Sequence, residues 1–371
     1  MHSCMRLNIN REELKIGNEM PLLLKLRLRS LFRRNARTPG RTLIVDTCII
    51  GDFVASLPAL RSHIARSGGT VDLLVSPPLK ALAENIRGVD RVFTAKSVWD
   101  RPIERLEPPE PVAGEYGQVF LLRISRDAAA MLEKIRYSRL ELYDAAYFRS
   151  VWNIFVSILL KRRPKQWREV CYEMVGMKEP RPSLGFDDIF EFSEKDQASV
   201  AALPELNGPG RKVLIHTGSG WEIKLWDNRK WAESLRRING AGNFRFIFIG
   251  GGETEKESFR QISGALDFKV YSLINKLDLR GTLLAMRRSD FFIGVDSGPR
   301  NMAHLADLRS VSLLGPAPEN FMPTDPRDIV INKFDCRCKS LFYLHETSAI
   351  QRVTPEEVFG AFLKLSSGQK D

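Results

Sequence analysis

Asp296-Ser297-Gly298-Pro299 follows the apolar run Phe291–Val295 without a gap. A short run rich in aromatic and β-branched residues reads as a buried strand, and the pattern after Pro299 can be helical. A strand that hands Asp-Ser-Gly-Pro to a helix start places a carboxylate, a hydroxyl and free backbone N–H groups in one crevice. Open α/β sheets bind their ligands in such a crevice, beyond the carboxyl ends of the strands. Free amides and the helix dipole favour an anion such as a diphosphate. The plainer alternative is that Asp296 or Ser297 caps the helix and Pro299 fills its first turn.

Three more loops stand at expected strand ends: Gly51-Asp52, His216–Gly220 followed by Lys224-Leu225-Trp226, and Gly250-Gly251-Gly252. Each alone has an ordinary explanation, as a turn with an N-cap, a snorkelling lysine or a glycine turn. Together, small residues with free amides and one lysine suit a diphosphate without requiring a metal. No D-x-D-type cluster lies at a strand end; Asp187-Asp188 falls in the region expected to link two domains. Three of the four loops belong to the C-terminal half, which is therefore expected to hold the larger ligand.

The elements that must position these loops alternate along the chain. Strands are expected at Thr42–Val45, Val71–Val75, Arg91–Phe93 and Val119–Ile124, then at Val213–Ile215, Phe244–Ile249, Lys269–Leu273, Phe291–Val295 and Ser310–Leu314. Helical patterns are expected at Arg126–Ile135, across most of 141–179, and at Asn228–Ile238, Glu255–Ile262 and Leu279–Arg288. Such alternation implies parallel sheets with helices on both faces. The Pro-, Gly- and Asp-rich stretch from Pro180 to Gly210 is the expected inter-domain region.

A chain of 371 residues exceeds one ordinary core and suggests two domains. No apolar run approaches the roughly 18 residues of a membrane span, and the first 20 residues do not form a secretory signal. Five scattered cysteines, with Cys336 and Cys338 spaced C-x-C, argue against a disulfide framework and fit a cytosolic setting. Residues 21–41 carry seven of the eleven net positive charges and no acid, interleaved with leucines and Phe32. Basic and apolar residues mixed in this way suit an anionic membrane surface, though a solvated linker or a helix packed on the body would share the pattern. The body lacks the basic stripe and interleaved aromatics of a nucleic-acid binder.

Five blocks resemble glycosyltransferase family 9, the lipopolysaccharide heptosyltransferases and their relatives. They are GDFVASLPALR, HTGSGWEIKLWDNRKWAESLRRI, FIFIGGGETE, VDSGPRNMAHLADLRSVSLLGPAPENFMP and RVTPEEVFGAFLKL, in that order across roughly residues 41–365. The resemblance implies an α/β GT-B fold, with two Rossmann-like domains facing across a cleft. Residues 1–40 are then a basic extension, 41–195 an acceptor-side domain, 196–210 a linker and 211–350 the nucleotide-sugar domain. Residues 351–371 would form a terminal helix crossing back to the first domain.

It also implies inverting, metal-independent transfer of a sugar, typically heptose from ADP-heptose, to a lipopolysaccharide-core or other lipid-linked saccharide. No cofactor beyond this co-substrate is expected. By resemblance, Asp52 is the general base, a role that needs a desolvated cleft because aspartate is a weak base. Lys224 would neutralise the leaving diphosphate. Thr217, Gly218, Ser219, Gly251, Ser297 and Gly298 would line the donor site, and Asp296 would position donor hydroxyls. Arg123 and Arg126, after the fourth strand, would bind acceptor phosphates or acidic sugars. The chain departs from the family at three places. Asp46 stands where a basic residue is common, and Asn301 where a histidine is usual. Arg280-Gly281 occupies a place where an acid is expected. Asn301 remains a donor-side candidate, able to donate and accept hydrogen bonds without carrying charge. These departures leave room for another nucleotide sugar serving capsule or exopolysaccharide synthesis, or for a degenerate, non-catalytic binding subunit.

Overall fold

The computed structural model describes residues 40–96, 112, 114–123, 126–142, 171–172, 184–315, 325–333 and 349–367. The basic segment 21–41 lies outside these residues except for its last two, as do Cys336, Cys338 and most of the helical pattern expected across 141–179.

The first sheet has the order β3-β2-β1-β4-β5, built from β1 (Arg41–Asp46), β2 (Thr70–Val75), β3 (Val89–Thr94), β4 (Glu115–Arg123) and β5 (Arg136–Leu142). β1 pairs parallel with β2 and β4, and β4 pairs parallel with β5. Helices α1 (Ile50–Ser67), α2 (Lys80–Ala83) and α3 (Arg126–Lys134) occupy the crossovers. Asp72 of β2, fully buried, gathers this sheet. Arg41 and Arg91 donate to its carboxylate at 2.7 Å, and the Tyr116 hydroxyl donates at 2.8 Å. Burial and that carboxylate push the Tyr116 phenol upward.

The second sheet has the order β11-β10-β9-β6-β7-β8. It comprises β6 (Arg211–His216), β7 (Phe244–Phe248), β8 (Tyr271–Ser272), β9 (Phe291–Val295), β10 (Arg309–Leu314) and β11 (Asp328–Asn332), parallel in every pairing. α4 (Phe186–Ile189) and α5 (Glu194–Ala201) precede it, and α6 (Asn228–Gly240), α7 (Glu253–Gly264), α8 (Leu279–Arg287) and α9 (Gly298–Leu305) connect its strands. α10 (Pro355–Ser367) closes the described chain. Its Phe362 packs edge-on against Phe244 and Phe291, at 5.1 and 5.2 Å, inside the core of this sheet.

Helix starts are locally encoded. Asp227 accepts from the amides of Arg229 and Lys230 at the head of α6, and Thr354 and Glu357 exchange side chain-to-amide bonds at the head of α10. The expected strands recur at nearly the expected places, but the one expected over Lys269–Leu273 shrinks to Tyr271–Ser272. β5, β11 and α5 are additions to the expected elements.

Contacts group the chain into two compact units that do not follow sequence order. One contains β1, β2, β4, β5 and all of β3 but Val89; the other contains Ile49–Arg66, Pro78–Val89 and the described residues from 171 onward. The helix after β1, with Gly51 and Asp52 in its first turn, therefore falls in the unit of the second sheet.

Candidate active site

Because β10, β9, β6 and β7 are adjacent and parallel, their carboxyl ends form one edge. His216, Gly250, Asp296 and Gly315 leave the sheet side by side along it. Three of the four candidate loops thus reach a common crevice, with Gly315 beside them, at the position where such sheets take ligands.

Lys224 sits in a single 3-10 turn, Glu222–Lys224, and its ammonium meets the Asp296 carboxylate at 2.5 Å. Asp296 is buried and Lys224 mostly so, which strengthens the pair relative to one in water. The turn lies directly over Gly315: a Cβ there would stand 3.0 Å from Lys224 Cγ and 3.3 Å from its Cα. Trp221, 43% exposed, flanks the lysine with its ring centroid 5.1 Å from Nζ.

Ser297 occupies the N-cap position of α9, yet its side chain makes no capping bond. Its hydroxyl instead lies 3.0 Å from His216 Nδ1 and 3.1 Å from the Val295 carbonyl. The plainer capping alternative therefore fails for Ser297, and α9 presents a start without a side-chain cap. His216 is buried, and desolvation lowers its pKa to about 4, so the ring is neutral near pH 7. It was not singled out from sequence; its place in the loop that also carries Thr217 and Lys224 was the available signal.

Thr217 is buried at the end of β6, and Ser219 accepts from the Trp221 amide at 3.2 Å. Gly218 faces a residue that sequence reasoning missed: a Cβ at Gly218 would lie 2.0 Å from Glu255 Oε1. The Glu255 side chain also packs against Gly250 and Gly252, whose φ values of 139° and 109° demand glycine. Desolvation raises the Glu255 pKa. A partly desolvated carboxyl beside the crevice can accept hydrogen bonds from sugar or ribose hydroxyls. Gly251 is exposed at the tip of the same turn.

The start of α1 rests on the start of α9. A Cβ at Gly298 would come within 2.8 Å of Ile50 Cγ2, and one at Gly51 within 3.5 Å of Gly298 Cα. Asn301, one turn into α9, donates from Nδ2 to the Gly51 carbonyl at 2.9 Å. Behind it, Asp328 on β11 accepts from Arg300 at 2.7 Å, and from Ser310 and Ser312 at 2.8 and 2.7 Å. His304 Nε2 lies 3.0 Å from the same carboxylate. Burial opposes ionisation of Asp328, but His304 and Arg300 hold its pKa near 2.

Arg123 ends β4 in register with Asp46 of β1, and Arg126 opens α3. An acid does stand at the head of α8: Asp278 accepts from the Gly281 amide at 2.7 Å as N-cap.

The profile of "Glycosyltransferase family 9 (heptosyltransferase)" matches residues 162–346, a span that contains every second-sheet site residue and excludes Asp52, Arg123 and Arg126. The chain is 25% identical over 143 residues to lipopolysaccharide heptosyltransferase 1 of Campylobacter coli. That alignment covers 38% of this chain and 42% of the relative, so the chain spans less than half of this curated relative's length. Among solved structures, the family 9 glycosyl transferase of Veillonella parvula DSM 2008 superposes with a TM-score of 0.66 at 14% identity, covering 90% of this chain and 99% of that one. The E. coli heptosyltransferase WaaC with ADP-2-deoxy-2-fluoro heptose gives 0.60 at 19% identity, covering 88% and 99%. These likenesses establish a GT-B fold for the two parallel sheets. With the profile match falling on the loops that carry Lys224, Asp296 and Gly298, the chain belongs to glycosyltransferase family 9.

Proposed function

We propose that the chain is an inverting glycosyltransferase that moves heptose from ADP-heptose to a lipopolysaccharide-core or other lipid-linked saccharide. The observation that carries this reading is the Lys224–Asp296 pair at 2.5 Å beside the start of α9, which has no side-chain cap. A largely shielded cation and a helix start without a side-chain cap lie where a diphosphate would be held, and the carboxylate beside them can accept from donor hydroxyls. The solved WaaC complex holds an ADP-sugar analogue, which makes ADP-heptose the first donor to try.

In the proposed reaction, an acceptor hydroxyl gives its proton to Asp52 as its oxygen bonds to the anomeric carbon. The bond from that carbon to the β-phosphate oxygen breaks on the opposite face, and configuration inverts. Negative charge accumulates on the departing diphosphate, where Lys224 and the amides of Ser297 and Gly298 stabilise it; this supplies the counter-charge without requiring a metal. Asp296 holds Lys224 in place and accepts from donor hydroxyls. Thr217, Ser219 and Gly251 line the phosphate side. Glu255 accepts from hydroxyls of the nucleotide or sugar. Arg123 and Arg126 serve the acceptor.

Calorimetric titration with ADP-heptose and with UDP- and GDP-sugars tests the donor. The proposal expects ADP-heptose to bind at least about tenfold more tightly than the others, a difference of about 1.4 kcal/mol. Preference for a UDP- or GDP-sugar would shift the reading to a transferase of another saccharide, and binding without turnover would favour a non-catalytic subunit.

A further inference from the structure

Asn301 is a donor-side candidate by resemblance, but its amide faces elsewhere. Its Nδ2 donates to the carbonyl of Gly51, the residue immediately before Asp52 and 250 positions away in sequence. A carbonyl only accepts, so the amide nitrogen must be the atom turned toward it. The surroundings leave little slack at this point. A Cβ at Gly298, at the head of α9, would stand 2.8 Å from Ile50 Cγ2, and one at Gly51 would lie in contact with Asn301 Nδ2 at 3.4 Å and Gly298 Cα at 3.5 Å. Further along, the seam between the helices loosens into a cavity of about 80 Å³, lined by Val54, Ala55 and Pro58 of α1 and by Asn301, His304 and Leu305 of α9. The polar contact thus lies at the end of the seam nearest Asp52, where the two helix starts approach most closely.

We propose that Asn301 is a positioning residue: its side-chain amide locks the turn carrying Asp52 onto the start of the helix that faces the donor. This rests on Asp52 as the base, and it gives Asn301 a task other than donor contact. A histidine could offer one N–H to the same carbonyl but with a bulkier ring. The asparagine achieves the tie while remaining uncharged, at a buried position. Displacement of a reacting group by about 1 Å costs on the order of 100-fold in rate. Loss of the tie should therefore appear in kcat and leave donor affinity almost untouched.

The test is a double-mutant cycle on the full chain with a verified donor and acceptor. It measures kcat, donor Kd by calorimetry and Tm for Asn301→Asp, Asn301→Ala, Asp52→Ala and the Asn301→Asp/Asp52→Ala double variant. Asn301→Asp keeps the shape and removes the N–H donor, so it serves if Asn301→Ala fails to fold. The expected result is a fall in kcat of about 10- to 100-fold for Asn301→Asp, with donor Kd within about threefold of wild type. In the Asp52→Ala background the same substitution should change kcat less than about twofold. Wild-type kcat in Asn301→Asp, an equal fall in the Asp52→Ala background, or an effect confined to donor Kd would each overturn the inference alone. Full activity of Asp52→Ala by itself would overturn the base assignment and the inference together.

Discussion

Two side chains at the carboxyl edge of the second sheet bind function to stability. His216 titrates near 4 when folded, against 6.5 for an ordinary histidine. Its folded pKa is depressed, so the unfolded chain takes up a proton that the folded chain refuses. Stability is full above about pH 6.5 and declines as pH falls toward 4, by roughly 3 kcal/mol for this group. His216→Gln should flatten the pH dependence of the urea midpoint between pH 6.5 and 4; an unchanged slope would show that the ring does not titrate this way. Glu255 has the opposite character. Its folded pKa is raised, so the stability linked to its proton is present at low pH and lost as pH rises. Glu255→Gln should therefore raise the urea midpoint of the unliganded protein at pH 7 while weakening nucleotide-sugar binding about tenfold. A lower midpoint with unaltered affinity would contradict both parts. Lys224, Asp296 and Ser297 were legible because each sits in a loop beside a clear apolar strand. Glu255 was not, because its setting is made by Gly218, 37 positions earlier, as much as by its own turn. The Asn301–Gly51 bond was hidden for the same reason.

Helix α9 is held from behind and limited in front, and both constraints can be measured. Arg300 and Asp328 are almost wholly buried, 1% and 0% exposed, so neither tolerates loss of the other. Asp328→Asn leaves the guanidinium without its counter-charge and should destabilise by roughly 3–5 kcal/mol in urea unfolding. A loss below 1 kcal/mol would mean that the network does not anchor the helix. In front, Gly298→Ala would drive a methyl group to 2.8 Å from Ile50 Cγ2. It should cost about 1–3 kcal/mol and lower activity further than stability explains, by parting the two helix starts; wild-type stability and rate would refute the close approach. The central strands were readable in sequence because apolar runs such as Phe291–Val295 are buried on both faces. β5 and β11 lie at sheet edges and are part polar, RYSRLEL and half-exposed DIVIN, so neither stands out as a buried run. α5, in a stretch rich in turn-forming residues, depends on Ser193 accepting from the Asp196 amide, a cap that reads as loop composition until seen folded.

For the molecule as a whole, the two parallel sheets follow from alternating β and α patterns, while the compact units cut across chain order because α1 goes with the second sheet. Alternation foretells sheets but says nothing about which unit a crossover helix joins. Among the described residues no helix is long and apolar enough to cross a membrane. We propose that the basic, leucine-rich residues 21–41 bring the enzyme to anionic lipid, where each basic residue adds about 1 kcal/mol. Removing residues 1–40 should abolish co-sedimentation with vesicles containing phosphatidylglycerol and leave Tm within about 2 °C; equal sedimentation would dismiss the membrane role. The central claim is sugar transfer from a nucleoside-diphosphate sugar at the edge that carries Lys224. Its most direct test is single-turnover transfer from ADP-heptose to a lipid-linked core saccharide, read by acceptor mass and ADP release. Wild type should yield one added heptose per ADP, and Lys224→Met should transfer at least about 100-fold more slowly. An equal rate in Lys224→Met, or ADP release with no gain in acceptor mass, would contradict the account.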